Sequence, residues 1–409
     1  MRLLLVSYFF EHEFGGAELV ARTTRNLLKD ELGWNVPVVC FEDGPSHQSG
    51  ELLRLPIPLA LRFNQQWFKR FVLFLNNPLF DWWIRRKMLR LLRDMSPPEG
   101  VHCQDLNALL VADALAKVYG VPLILTLHEP VPKRVSPGIL PAPVAFVLNA
   151  FMGLRDNSVR QALARCHTVM CVSEFVRERV RSCLNSPAAG PVLDLVHPPI
   201  EEYLIANAAK SFSARENNGP ARLLFLGRMT AEKGLDLLMD ALPLLNSAFE
   251  ISILGFDGPI ESRVRALADK DSRISLLRSV PHTVVADLIR KHDVVCCPSV
   301  VEEACPKTVA EARMLGRRIV TTDRGGIPEI IRGYSRSFVV ELDGKTRDQR
   351  VTSLAAKLEE AIEAGPPPPF STAEKQVENK FIARFGPDPL VKAFSEVHGR
   401  IKRASLRGD

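Results

Sequence analysis

Two glutamates eight residues apart, Glu303 and Glu311, bracket a short loop that runs into a helical pattern. The loop follows the apolar run Val294-Val295-Cys296-Cys297, which reads as a buried strand, and the helix it opens ends at Gly316, suited to the position just past a helix. Eight residues are about two helical turns, so both carboxylates fall near one face. Free backbone N–H groups within residues 305 to 308, all but that of Pro306, would lie between them. Carboxylates accept from hydroxyls, while amides and a helix N-terminus hold a phosphate, so the pair suits a polyhydroxylated, phosphorylated ligand. Ordinary acids on a capped surface helix would show the same spacing.

A second cluster is Gly227-Arg228-Met229-Thr230-Ala231-Glu232-Lys233-Gly234, directly after the apolar run 223–226. Arg228 and Lys233 lie five apart on a glycine-flanked turn, which would aim two cations at one point. Two cations on one pyrophosphate neutralise charge developing on a leaving group. Taken alone, the turn is as readily a solvated basic loop.

A third stretch carries Trp67, Phe68, Phe71, Phe74, Phe80, Trp82 and Trp83, interleaved with Lys69, Arg70, Arg85, Arg86, Lys87 and Arg90. Such a pattern in residues 67–93 fits an anionic membrane surface, or the core packing of long helices. Residues 136–154 are uncharged, but Pro137, Pro141 and Pro143 argue against a spanning helix. No strand-borne aromatic platform accompanies the basic residues, so nucleic acid is not an expected partner. His12, His102 and His282 stand at no ligand spacing and are expected to be structural, and Ser173 reads as a helix cap rather than a nucleophile.

The elements that must position these residues are those of an α/β protein. The 409 residues, with 46% hydrophobic and 24% charged, are enough for two domains and exclude wholesale disorder. The net charge of +6 favours anionic ligands without arguing for nucleic acid. Eight cysteines include no C-x-x-C pair and no zinc spacing, which predicts reduced thiols in a cytoplasmic protein. No secretory signal is read at the start, because Leu3-Leu4-Leu5-Val6 is too short for an apolar signal core. Short apolar runs at 3–8, 38–41, 123–127, 169–172, 223–226, 251–254, 294–297 and 319–321 alternate with helical stretches, predicting parallel sheets covered on both faces. The linker is placed near His197-Pro198-Pro199-Ile200. It separates a domain of residues 1–198 from one of 199–387, with a final helix at 388–409 packing back on the first. Neither glycine loop reads G-x-G-x-x-G, so a nicotinamide-dependent oxidoreductase is not expected.

Taken together and in order, these motifs resemble the retaining glycosyltransferases of family 4, built on the GT-B fold of two facing Rossmann-like domains with a cleft between them. Arg228 and Lys233 match the family's G-R-x-x-x-x-K-G turn, and Glu303 and Glu311 its E-x7-E motif. Further matches are Gly15-Gly16-Ala17-Glu18, His128 in Thr126-Leu127-His128-Glu129, Val172-Ser173-Glu174-Phe175, and Gly325-Gly326-Ile327-Pro328-Glu329. The resemblance implies a nucleotide diphosphate sugar as co-substrate, with no cofactor and no metal. Arg228 and Lys233 would hold the diphosphate and stabilise it on departure. Glu311 would accept from ribose hydroxyls. Glu303 would hold the donor sugar, with Cys305, Pro306, Lys307 and Thr308 alongside. Gly15 and Gly16 would let backbone approach the phosphate, and His128 would stand near the anomeric centre. The acceptor would be a glycan or a polyprenyl-linked glycan, met at the inner face of the cytoplasmic membrane. The chain departs from the family at Ala304-Cys305-Pro306, where many members have Gly-Phe-Gly and where proline removes an amide donor. A nucleotide-sugar epimerase of the same fold and an inactive nucleotide-sugar-binding homologue are the alternatives.

Overall fold

The computed structural model describes residues 1–7, 10, 16–42, 47–49, 51–56, 86, 96–106, 108–131, 157–184, 190–208, 219–256, 258–277, 280 and 282–407. Gly15, the segment 136–154 and all of 67–93 except Arg86 lie outside them. Two compact units are present. One comprises Met1–Pro199 with Pro387–Asp409, the other Ile200–Gly386.

The first unit holds strands β1 (Leu3–Ser7), β2 (Val38–Glu42), β3 (His47–Ser49), β4 (Leu52–Pro56), β5 (Gly100–Cys103), β6 (Leu123–Leu127), β7 (Thr168–Cys171) and β8 (Val192–Leu195). They form one sheet in the order β3-β4-β2-β1-β5-β6-β7-β8, parallel except for the β3–β4 edge pair. Every residue of β1, β5, β6 and β7 is buried, as expected of strands covered by helices on both faces. The helix Pro387–Arg407 supplies Leu390, Ala393, Phe394 and Val397 to a core with Leu3, Leu5, Trp34, Ile124 and Met170. Its Arg400 pairs with Asp194 of β8.

The second unit holds β9 (Ala221–Arg228), β10 (Phe249–Phe256), β11 (Ile274–Leu277), β12 (Val294–Cys297), β13 (Arg318–Thr322) and β14 (Ser337–Val340). The order β11-β10-β9-β12-β13-β14 is wholly parallel, the doubly wound 3-2-1-4-5-6 arrangement. Its winding reverses between β9 and β12. In such sheets the reversal opens a crevice at the strands' C-terminal ends, where ligands bind.

Leu235, Leu238, Leu242 and Leu245 are all buried, but they do not share one helix: Leu235–Ala241 is α-helical and Leu242–Leu244 is a 3₁₀ turn containing Pro243. Proline lacks the N–H that would continue the α-helix.

Candidate functional site

The C-terminal ends of β9 and β12 and the segments that follow them carry the four charged residues singled out by spacing, and these two strands are hydrogen-bonded neighbours, Leu223 beside Val294 and Phe225 beside Cys296. Arg228 ends β9. The chain then makes a 3₁₀ turn over Ala231–Lys233 and reaches Gly234 at φ 69°. A Cβ at Gly234 would lie 1.8 Å from the carbonyl oxygen of Pro298. Glycine is needed there twice over, for the left-handed conformation and for the close approach to the loop after β12. The two loops are also stitched together through Glu232, whose carbonyl accepts from Val300 N–H at 2.9 Å and from Ser299 Oγ at 3.1 Å.

This stitching brings Lys233 to Glu303 across seventy residues of sequence. Lys233 Nζ lies 2.6 Å from Glu303 Oε1, and Ser299 Oγ lies 2.6 Å from the same oxygen. The backbone of Glu303 is fixed separately by Gly326 N–H, which donates to its carbonyl at 2.7 Å. A Cβ on Gly325, at φ 62°, would stand 2.3 Å from that carbonyl oxygen. The Gly325-Gly326 loop therefore acts as a backbone clamp on Glu303. Arg228 is more loosely held, 3.9 Å from Glu232, with both side chains 39% exposed.

The helix Lys307–Met314 begins directly after Pro306, which has no side chain to cap it. Lys307 and Thr308 are its first two residues, so their N–H groups have no intrahelical partner. The Lys307 ammonium turns to Glu201, 2.8 Å away, just past the join of the two units. About one turn into the helix, as its fifth residue, Glu311 is buried, and its Oε1 makes no hydrogen bond. Burial pushes its carboxyl up to about 7; Lys307 opposes the rise and Glu201 adds to it. An unsatisfied buried acceptor is costly unless a ligand completes it, and a pair of ribose hydroxyls would do so. Cys305 is free, and burial pushes its thiol up, away from nucleophilic chemistry. Cys296 and Cys297 behave alike, the latter pushed up to about 12.

His128 and Gly16 belong to the first unit. Gly16 opens the helix Gly16–Asp30 that follows β1. His128 follows β6, and its Nε2 lies 3.0 Å from Oε1 of Gln104, which follows β5. Two residues back on each strand, His102 Nε2 meets Thr126 Oγ1 at 2.8 Å. Ser173 caps the helix Glu174–Leu184, its Oγ accepting from Val176 N–H at 3.2 Å.

Two models of known families match the chain, Glycosyltransferase Family 4 over residues 14–193 and Glycosyl transferases group 1 over 220–363. The chain belongs to the family 4 glycosyltransferases. This glycosyltransferase is 28% identical over 176 residues to the phosphatidylinositol N-acetylglucosaminyltransferase GPI3 subunit of Saccharomyces cerevisiae (strain YJM789), covering 41% of this chain and 38% of that protein. It is 27% identical over 173 residues to the amylovoran biosynthesis glycosyltransferase AmsK of Erwinia amylovora, covering 40% and 41%. These matches span about two-fifths of the length of either relative. HepE from Anabaena, solved in complex with UDP, superposes with a TM-score of 0.64 at 14% identity, over 98% of this chain and 100% of that one. The glycosyltransferase thus has the GT-B class of fold, two Rossmann-like units. No helix among its described residues is long and apolar enough to cross a membrane.

Proposed function

We propose that this glycosyltransferase moves a sugar from a nucleoside diphosphate sugar to a glycan or polyprenyl-linked glycan, with retention at the anomeric carbon and without a metal ion. The setting is cell-surface polysaccharide assembly at the inner face of the cytoplasmic membrane. The observation that carries the reading is that Lys233 and Glu303 meet on two stitched loops at the crevice between β9 and β12, with Arg228 at the end of β9 and Glu311 on the helix that follows the second loop. The functions of the yeast and Erwinia relatives, and the UDP bound to HepE, support it.

In this reading the bond from the anomeric carbon to the phosphate oxygen breaks, and its electron pair leaves with the diphosphate. Arg228 and Lys233 take up the charge that develops there. The acceptor oxygen bonds the same face of the carbon, and its proton passes to the departing phosphate. Lys233 is already paired with Glu303. A bound donor would insert between them, giving a phosphate oxygen to the amine and sugar hydroxyls to the carboxylate. The N–H groups of Lys307 and Thr308 are free to point at phosphate oxygens, the usual use of a helix start. Gly15 and Gly16 would admit the donor phosphate, and His128 would face the reacting carbon.

The test is incubation with a panel of nucleotide sugars and a lipid-linked acceptor extract, reading nucleoside diphosphate release. Release is expected with one donor class and in excess EDTA. A strict Mg²⁺ or Mn²⁺ requirement would falsify the metal-free site.

The two glutamates should separate in binding experiments. Glu311→Ala is expected to weaken UDP by about 10-fold or more, because hydrogen bonds to a charged group are worth roughly 1.5–3 kcal/mol. Glu303→Ala should leave bare UDP binding near wild type and impair transfer from the whole donor. Equal losses of UDP affinity in both variants would mean the roles are misassigned.

Glu311 also predicts a proton count. Its folded carboxyl titrates about 7, above its ordinary value, so the folded state holds the extra proton between about pH 4.5 and 7. The stability this gives is complete below the lower value and is lost as pH rises through 7. Ribose hydroxyls donate to the ionised form and should pull the titration back down. Binding near pH 7 is therefore expected to release a proton from Glu311. Calorimetry in buffers of different ionisation heat would show more release for wild type than for Glu311→Gln, a difference that removes the ligand phosphate's own titration. Identical release in both proteins would rule the contact out.

A further inference from the structure

Ser299 has one hydroxyl hydrogen and two acceptors within reach. Glu303 Oε1 lies 2.6 Å from its Oγ, and the Glu232 carbonyl oxygen 3.1 Å. Neither a carbonyl nor an ionised carboxylate can donate, so the two compete for the one proton. The shorter contact is of the charge-assisted kind and takes it. The Glu232 carbonyl can spare it, because Val300 N–H already donates there at 2.9 Å. The hydroxyl is therefore committed to Glu303.

The backbone that carries this hydroxyl is held on three sides. Before it, the Pro298 carbonyl packs against Gly234. The carbonyl of Ser299 itself accepts from Thr322 Oγ1 at 2.6 Å, and Val300 after it is tied to Glu232. Ser299 is buried. Lys233, the other donor to the same oxygen of Glu303, reaches it on a flexible four-carbon stem and is 28% exposed. An arriving diphosphate would draw off that ammonium and leave the buried hydroxyl where it is. We propose that Ser299 is a positioning residue, which keeps hold of Glu303 Oε1 when the donor parts Lys233 from it. The carboxylate then stays in place to accept from sugar hydroxyls. Without Ser299, the departing ammonium would leave Glu303 with no hydrogen-bond donor among the described residues, and its carboxylate would turn freely. The bearing on transfer rests on Glu303 holding the donor sugar.

The experiment compares Ser299→Ala and Ser299→Thr in the full chain, and Ser299→Ala again in a Glu303→Ala background. Steady-state kinetics on the accepted nucleotide sugar are set beside UDP calorimetry and melting curves. Ser299→Ala removes only the oxygen and leaves the Val300 stitch, so the fold should be retained. It is expected to lower kcat/KM for the whole donor about 10-fold or more, the loss of one hydrogen bond to a charged group, with UDP affinity unchanged. Ser299→Thr keeps the hydroxyl and should recover most of the loss. In the Glu303→Ala background the same change should cost nothing further, because the group it positions is gone. A fall in UDP affinity that matches the fall in kcat/KM, equal in both backgrounds, would mean that the hydroxyl serves the stitch between the loops and would overturn the proposal. So would wild-type kcat/KM in Ser299→Ala while Glu303→Ala is impaired, since the carboxylate would then keep its place unaided. Wild-type transfer by Glu303→Ala alone would instead remove Glu303 from the donor site, and this role of Ser299 with it.

Discussion

Replacing either Lys233 or Arg228 by Ala is expected to lower kcat about 100-fold or more, with the fold retained. The charge on a departing diphosphate is greatest at the transition state, so a cation that meets it there contributes to kcat rather than to binding alone. Lys233 is fixed for this task before any ligand arrives. Its turn is locked by Gly234 against Pro298, and its amine sits on Glu303. An ammonium has three donors, so once a bound donor parts it from Glu303 it can turn to a phosphate oxygen without moving its stem. Arg228 ends β9 with a planar fork that can bridge two oxygens, a geometry lysine cannot copy. Arg228→Lys should therefore recover only part of the loss. Kinetics on the donor sugar with melting curves alongside decide the matter. Near-normal turnover in either Ala variant removes that residue from the leaving-group role.

The second large effect is on stability. Glu378→Ala is expected to destabilise the second unit by about 3–5 kcal/mol. Glu378 holds Arg313 through two hydrogen bonds of 2.8 and 2.9 Å, with the side chains 5% and 3% exposed. Arg313 also donates to the carbonyls of Ile330 and Arg332, and it stacks on Phe381 and Tyr334 at 4.0 and 5.2 Å. Removing the carboxylate strands a guanidinium among aromatic rings, away from water. At roughly 2–4 °C per kcal/mol for a domain of this size, the melting temperature should fall by about 10 °C. Arg313→Met combined with Glu378→Leu should recover much of it, because the apolar pair leaves no charge unmatched. A single-variant loss below about 1 kcal/mol would mean that water reaches the site.

Much of this was readable because the chemistry is local in sequence. Arg228 and Lys233 share one turn, Glu303 and Glu311 one loop and helix, and each follows a continuous apolar strand. The eight apolar runs read as strands are all strands. Those that escaped are of another kind. β5 is Gly-Val-His-Cys, interrupted by the very histidine that it buries, and its Gly100 would place a Cβ only 3.0 Å from Met1 Cε. β3, β8, β11 and β14 are sheet edges without a long unbroken apolar run, and β4, beside the β3 edge, is interrupted by Arg54. Glu201 and Gln104 had no signal either, and Ser299 had only a weak one. Each acts on a predicted residue through space, Glu201 on Lys307 across 106 positions, and only the sheet order brings such pairs together. The signal for Ser299 is its place four residues before Glu303 on the same loop.

The first unit is discontinuous, and this bears on how the protein is made. Leu3, Leu5 and Trp34 leave the ribosome early, but their core is completed by Leu390, Phe394 and Val397. The whole of Ile200–Gly386 is synthesised in between. Domains usually fold as units in the order of their synthesis. Here the second unit can finish while the first still exposes an apolar face. A chain halted before Pro387 would hold every strand of both sheets and yet carry an open core, a ready target for chaperones and proteases.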